Sequence, residues 1–238
     1  MEKMRLNRFL SLAGIDSRRK ADEIIAQGRV YVNGSIVKEA GTIIDPNTDV
    51  VKIGNKRMTA KKFEYLIINK PRGIISSRKL DSGRGTIYDI IPKNMKHLKP
   101  VGRLDINTEG LIIMTNDGTL INRLSHPKGR IERVYSMLIN KRLSYNEIQR
   151  LKRGIRYENI SYRFSDVFFT RITPHGFLYI AKLKEGKNRE IRNAMKALGK
   201  RIIWLKRISF GPIKLGELKP GQFRFLTKQE LDLLNKLN

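Results

Sequence analysis

The chain contains no cysteine, so disulfides, a thiol nucleophile and cysteine-ligated zinc or iron–sulfur centres are all excluded. Its three histidines, His97, His126 and His175, are scattered without ligand spacing. They read as surface or packing residues, and no metal site is expected. No stretch approaches the roughly twenty apolar residues that a transmembrane helix needs. The apolar patch from Phe9 to Ile15 is interrupted by Ser11, lacks a small-residue cleavage site and runs straight into Asp16 and three basic residues; it reads as part of the fold rather than as a secretion signal. The glycines of "DSGRGTIYDIIP", Asp81 to Pro92, do not follow a phosphate-binding pattern, which argues against a nucleotide cofactor. The lack of cysteine fits a cytoplasmic protein, and no metal, nucleotide or redox cofactor is expected.

Acidic residues are also scarce: 22 against 49 lysines and arginines, for a net charge of +27 over 238 residues. Charge of that size attracts polyanions, and an RNA or DNA backbone is the expected partner, because neutralising phosphates releases counterions. An anionic membrane surface would call for a basic amphipathic helix or a lipidation signal, and neither is visible. The excess is spread along the chain. Residues 1–62 carry 13 basic and 7 acidic residues, and the densest stretch, Lys182 to Lys214, carries 11 and 2. Apolar residues make up 40% of the chain, enough to build a core.

The order of patterns divides the chain in two. In residues 1–62, Leu6, Phe9, Leu10 and Ala13 recur at helical spacing before Gly14. Ser17 can cap a second helix with Ala21, Ile24 and Ile25 as its apolar stripe and Gly28 at its end. Arg18, Arg19 and Lys20 then fall in the first turn, where they oppose the helix dipole unless an anion lies beside them; an ordinary solvated charge run is the alternative. A hairpin follows in "RVYVNGSIV", turning at Asn33-Gly34. From residue 63 onward, "FEYLIIN", "LIIMT", "FLYIAKL" and "IIWLKRISFGPI" read as strands, "NDG" as a turn and "NREIRNAMKALG" as a helix. No regular strand–helix repeat links them. The fold class is therefore α+β: a small N-terminal α/β domain, then a larger one over 63–238 with a mixed, mostly antiparallel sheet flanked by helices.

One carboxylate stands out. In "VGRLDINTEGLIIMTNDG" Asp105 lies between Leu104 and Ile106. A turn or capping role is the ordinary reading of such an aspartate. Its apolar flanks point instead to partial desolvation, which calls for an arginine to keep it ionised. Arg103 is adjacent, but neighbours on a strand face opposite ways, so a more distant arginine is the better partner.

Two resemblances rest on these segments. "SRRKADEIIAQGRVYVNG" resembles the RNA-binding domain of the ribosomal-protein-S-four type, in which the helix carrying Arg18, Arg19 and Lys20 faces RNA. "GRLDINTEGLIIMTNDG" is similar to the signature of the pseudouridine synthases that modify ribosomal RNA, the family of the small-subunit enzyme A and the large-subunit enzymes B, E and F. "NKPRGIISS", "ERVYSM", "EGKNREIRNAM" and "LKRISFGPI" follow the same resemblance, which spans residues 63–225. It implies an enzyme that isomerises uridine to pseudouridine without a cofactor, with Asp105 as catalytic carboxylate, Tyr135 packing on the target base and Arg192 pairing with Asp105. It also implies that Lys70, Leu205 and Arg103 contribute to substrate binding, that Lys187 and Arg189 contact RNA, and that the protein is a monomer. One departure is visible: where the family continues "EGKNREIR" with a second arginine and a methionine, this chain has Asn193 and Ala194.

The wording of the signature is closer to the large-subunit members, which makes large-subunit ribosomal RNA the expected substrate. Small-subunit RNA is the alternative within the same chemistry. A non-catalytic ribosomal-RNA-binding assembly factor would share the composition, but would have no reason to keep Asp105, Tyr135 and Arg192 together.

Overall fold

The computed structural model describes residues 2–15, 17–78, 83–126 and 129–237, so Asp16, and Asp81 and Ser82 of the glycine-containing loop, lie outside it. The chain divides into two compact units, Met1–Phe63 and Glu64–Asn238.

In the first unit, strand β1 (Met4–Arg5) leads into helices α1 (Leu6–Leu12) and α2 (Arg18–Ala26). Leu6, Phe9 and Leu10 are buried with Ala21 and Ile25, so the two apolar stripes form one small core. Ser17 caps α2 by accepting a hydrogen bond from the Lys20 amide at 3.1 Å. Strands β2 (Val30–Val32) and β3 (Ser35–Val37) form the hairpin. Its turn takes positive φ at both Asn33 (51°) and Gly34 (88°), the twist that suits a two-residue hairpin loop. The structure adds four strands that the sequence pattern did not disclose: β1 and its partner β4 (Ile43–Ile44), and β5 (Val51–Ile53) and β6 (Lys56–Arg57). The last two extend the hairpin into a sheet ordered β3-β2-β5-β6. Segments of two or three residues are too short to show a period.

The second unit is built on a nine-stranded sheet. Strand β7 spans Tyr65–Lys70 rather than starting at Phe63, whose ring packs in the first unit's core. Strands β8 (Lys99–Pro100) and β9 (Glu109–Thr115) follow, then helix α3 (Gly118–Ser125) and strand β10 (Arg133–Ile139). Next come helix α4 (Tyr145–Arg153), a small hairpin of β11 (Ile155–Tyr157) and β12 (Ile160–Tyr162), and strands β13 (Asp166–Thr173) and β14 (Gly176–Leu183). Helix α5 (Glu190–Ala197), strands β15 (Ile202–Phe210), β16 (Ile213–Lys214) and β17 (Phe223–Phe225), and helix α6 (Lys228–Asn235) complete it. The strand order is β13-β14-β10-β15-β9-β7-β17, with β16 on β15 and β8 on β9. Every named pair in the unit is antiparallel except β15 with β9.

The continuous apolar runs in β7 and β9 follow from burial on both faces. Leu66, Ile68, Ile112 and Met114 enter one core with residues of α4 and α5. The alternate residues Ile67, Leu111 and Ile113 enter a second core with Leu120 and Leu124 of α3 and Leu234 of α6. The parallel β9–β15 contact depends on Gly110. Its φ is +110°, and a Cβ there would lie 2.2 Å from the Arg207 carbonyl oxygen, so no side chain fits. This junction matters because the loop before β9 carries Asp105.

Candidate active site

Asp105 begins a tight turn rather than sitting on a strand. The Thr108 amide donates to the Asp105 carbonyl at 2.9 Å, so the opposite-face argument for Arg103 gives way to loop geometry. Each flank of the turn is tethered. Ser76 Oγ donates to the Leu104 carbonyl at 2.8 Å and accepts from the Leu104 amide at 3.2 Å. The Ile106 carbonyl accepts from the Gly73 amide at 2.9 Å and from Lys70 Nζ at 3.3 Å. Arg192, from α5, spans the far side: its Nη2 donates to the Asn107 carbonyl at 2.8 Å and to Thr108 Oγ1 at 3.1 Å. Its Nε lies 3.5 Å from Asp105 Oδ2, an ion pair whose side chains are 16% and 31% exposed. The nitrogen has no closer acceptor among the described residues. One guanidinium thus fixes the backbone that carries the carboxylate and faces the carboxylate itself, which is the preorganisation a reactive group needs.

A cavity of about 220 Å³ opens in front of Asp105. That is below the roughly 300–1,000 Å³ usual for drug-sized ligands and suits a small planar group. Tyr135 of β10 and Leu205 of β15 contribute buried side chains, 9% and 4% exposed. Arg103, Lys187, Arg189 and Arg192 also line the cavity. Two further carboxylates reach its wall but are engaged elsewhere. Glu185 pairs with Lys187 at 2.5 Å, and Glu190 Oε2 accepts from the Gly186 and Lys187 amides at 3.0 Å each. Glu190 Oε1 has no partner among the described residues, but of the three lining carboxylates Asp105 is the one that pairs with an arginine.

Lys70 departs from the expected place. It does not line the cavity; it is fully buried and donates from behind the turn to the Pro71 carbonyl at 2.9 Å and to Ile106. Burial pulls its ammonium down to about 8, against the opposing pull of Asp105 and Glu109. Arg18, Arg19 and Lys20 are on the first unit's α2, exposed, with Lys20 paired to Glu23 at 2.7 Å. At the departing positions, Asn193 Nδ2 donates to the Tyr162 hydroxyl at 2.9 Å and Ala194 is fully buried. Asn193 thus ties α5 to β12.

Several lining residues were not singled out from sequence: Arg133, Arg207, Phe210, Glu190 and Thr108. The first two were within reach of a period-two argument, since Arg133 lies two residues from Tyr135 and Arg207 two from Leu205, each on one strand face. Among the described residues no group of three or more histidines or carboxylates could hold a metal ion, and no helix is long and apolar enough to cross a membrane.

Comparison with known proteins bears on this arrangement. Residues 64–197 match the family model described as RNA pseudouridylate synthase, and residues 4–50 match that of the S4 domain. An uncharacterized RNA pseudouridine synthase of Aquifex aeolicus is 38% identical over 99% of this chain and 95% of its own length. The ribosomal large subunit pseudouridine synthase B of Bacillus subtilis is 33% identical over 98% and 96%. Among solved structures, a pseudouridylate synthase aligns with a TM-score of 0.66 at 26% identity, covering 97% of this chain and 99% of that one.

Proposed function

The chain belongs to the RNA pseudouridylate synthase family, and from that premise we propose that it isomerises a uridine of large-subunit ribosomal RNA to pseudouridine with Asp105 as the catalytic carboxylate. The reaction breaks the bond between ribose C1′ and N1, turns the uracil and joins C1′ to C5. The proton displaced from C5 leaves to solvent and N1 gains one, so the composition is unchanged. Such a conversion needs a positioned carboxylate and a cavity that sheds water. The observation that carries the proposal is the tethered Asp105 turn, paired with Arg192 at the wall of a cavity of about 220 Å³. Tyr135 and Leu205 supply apolar surface for a base rotated out of its stack. The basic lining, with the S4 domain ahead of it, supports an RNA strand as the substrate. The choice of the large subunit rests on the relative that bears that name.

The test is release of tritium from C5-labelled uridine in ribosomal RNA transcripts, by the wild type and by Asp105→Asn. Wild-type release from the large-subunit transcript, abolished in the variant with RNA affinity unchanged, is the expected result. Release confined to the small-subunit transcript would refute the substrate. Tight binding with no release from either would refute catalysis on ribosomal RNA and favour an assembly role. Loss of binding together with activity would make Asp105 a folding or RNA-contact residue.

A further inference from the structure

The cavity is better equipped than isomerising a neutral base requires. Past Tyr135, the register of β10 and β15 sets Arg207 opposite Tyr135, and an irregularity between Val134 and Tyr135 then sets Phe210 opposite Arg133. Both guanidiniums lie against the same ring, their Cζ atoms 5.0 and 5.1 Å from its centroid. Both side chains are buried, at 9% and 2% exposure, and both line the cavity.

Their partners are carbonyl groups only. Arg207 Nε donates to the Leu111 carbonyl at 2.7 Å, and its Nη2 has no partner among the described residues. Arg133 Nη1 donates to the carbonyls of Ile131 at 3.1 Å and Lys184 at 3.4 Å. Neither arginine forms an ion pair among the described residues. The carboxylate whose charge favours the Arg133 guanidinium, Glu190, spends one oxygen on backbone amides and leaves Oε1 without a partner, although the residue is only 4% exposed. Burial, and the charge of Arg207 close by, depress the guanidinium of Arg133. Gly186 keeps this end open: a Cβ there would lie 3.1 Å from Arg133 Cζ.

Two like charges stacked on one ring in a low-dielectric wall carry a large desolvation cost. A neutral carbonyl of a base would satisfy one donor but cancel no charge. A phosphate does both, since its oxygens accept from guanidinium forks and its charge offsets the repulsion. We propose that Arg133 and Arg207 form a phosphate subsite at the end of the cavity beyond Tyr135, which seats a phosphodiester flanking the target uridine while the base occupies the space beside Asp105. This assignment rests on the function proposed above. It makes the subsite a positioning device: a phosphate anchored at one end fixes the sugar of the flipped nucleotide relative to the carboxylate.

The test replaces one charged linkage at a time with a neutral methylphosphonate, 5′ or 3′ to the target uridine, in a substrate transcript. Binding is measured for the wild type, Arg133→Gln and Arg207→Lys. In the wild type, one of the two neutral linkages weakens binding about tenfold or more, the scale of one hydrogen bond to a charged group. In Arg133→Gln the same linkage costs at most about threefold, because the partner is already gone. Arg207→Lys, which keeps the buried charge, guards against a fold lost with the arginine and shows an intermediate penalty. Equal penalties in the wild type and both variants, or no penalty at either linkage in the wild type, would overturn the subsite. Tritium release from the unmodified transcript is read in parallel. A localised binding penalty without release would keep the subsite and sink the catalytic assignment, so the two failures are distinguishable.

Discussion

Arg192→Lys is the most informative single change, because it keeps the charge and removes the shape. The arginine fork reaches three points at once: the Asn107 carbonyl, Thr108 Oγ1 and Asp105 Oδ2. A lysine ammonium is a point donor on a flexible stem and cannot hold the turn and face the carboxylate together. A hydrogen bond from a charged donor contributes roughly 1.5–3 kcal/mol. With Asp105 31% exposed and Arg192 16%, solvent screening places the net loss of one contact near the lower end, about 1.5 kcal/mol. If that contact matters mainly in the transition state, kcat/KM falls roughly tenfold, and about a hundredfold if the turn loosens further. Tritium release under single-turnover conditions, with RNA affinity from anisotropy, separates the two. The expected result is a fall in the chemical rate of ten- to a hundredfold, affinity within about threefold of wild type, and a modest loss of thermal stability. A variant as fast as the wild type, or one whose whole defect lies in affinity, would refute the assignment of Arg192 as the group that positions Asp105.

Other consequences follow from the same geometry. Burial raises the Glu190 carboxyl from the ordinary 4.5 to about 7. Between those values the native state holds a proton that the unfolded chain has released, so this group makes stability fall as pH rises from about 4.5 to 7 and level off above. Glu190→Gln should flatten that slope and, at pH 8, be more stable than wild type by up to about 3 kcal/mol, as urea denaturation at pH 5 and pH 8 would read; a variant with the wild-type slope would contradict it. Gly110→Ala, with its Cβ forced 2.2 Å from the Arg207 carbonyl at φ +110°, should cost more than about 3 kcal/mol and separate β9 from β15, and a melting temperature near wild type would show that the junction can relax. Replacing Arg18, Arg19 and Lys20 with glutamine should reduce the slope of log affinity against log salt by about two to three for RNA. An unchanged slope would leave these residues as ordinary solvated charge.

The N-terminal helices and hairpin were legible because each element carries its own local signal: an apolar stripe at helical spacing, a serine cap and an Asn-Gly turn. The strands β7, β9, β14 and β15 announced themselves as apolar or alternating runs. Helices α3, α4 and α6 were overlooked although their caps were written in the sequence. Asp117 accepts from the Thr119 and Leu120 amides, and Ser144 with Glu147 and Thr227 with Glu230 form reciprocal capping boxes. The "NDG" segment that reads as a turn contains the first of these caps.

By itself the sequence determined the chemistry available: a polyanion-seeking chain without thiols, and one aspartate in a distinctive setting. It also determined the α+β class, since periodicity and caps act over a few neighbouring residues. What lies in front of Asp105, and what lies behind it, was decided only by the tertiary structure. Arg192 reaches the turn from a helix some 85 positions away, Lys70 supports it from the core rather than from the cavity, and Arg133 and Arg207 meet across one phenylalanine through strand register. Such contacts depend on which elements pack together and how the strands are offset, and a one-residue shift in register would turn the strand residues Lys70, Arg133 and Arg207 to the other face of the sheet.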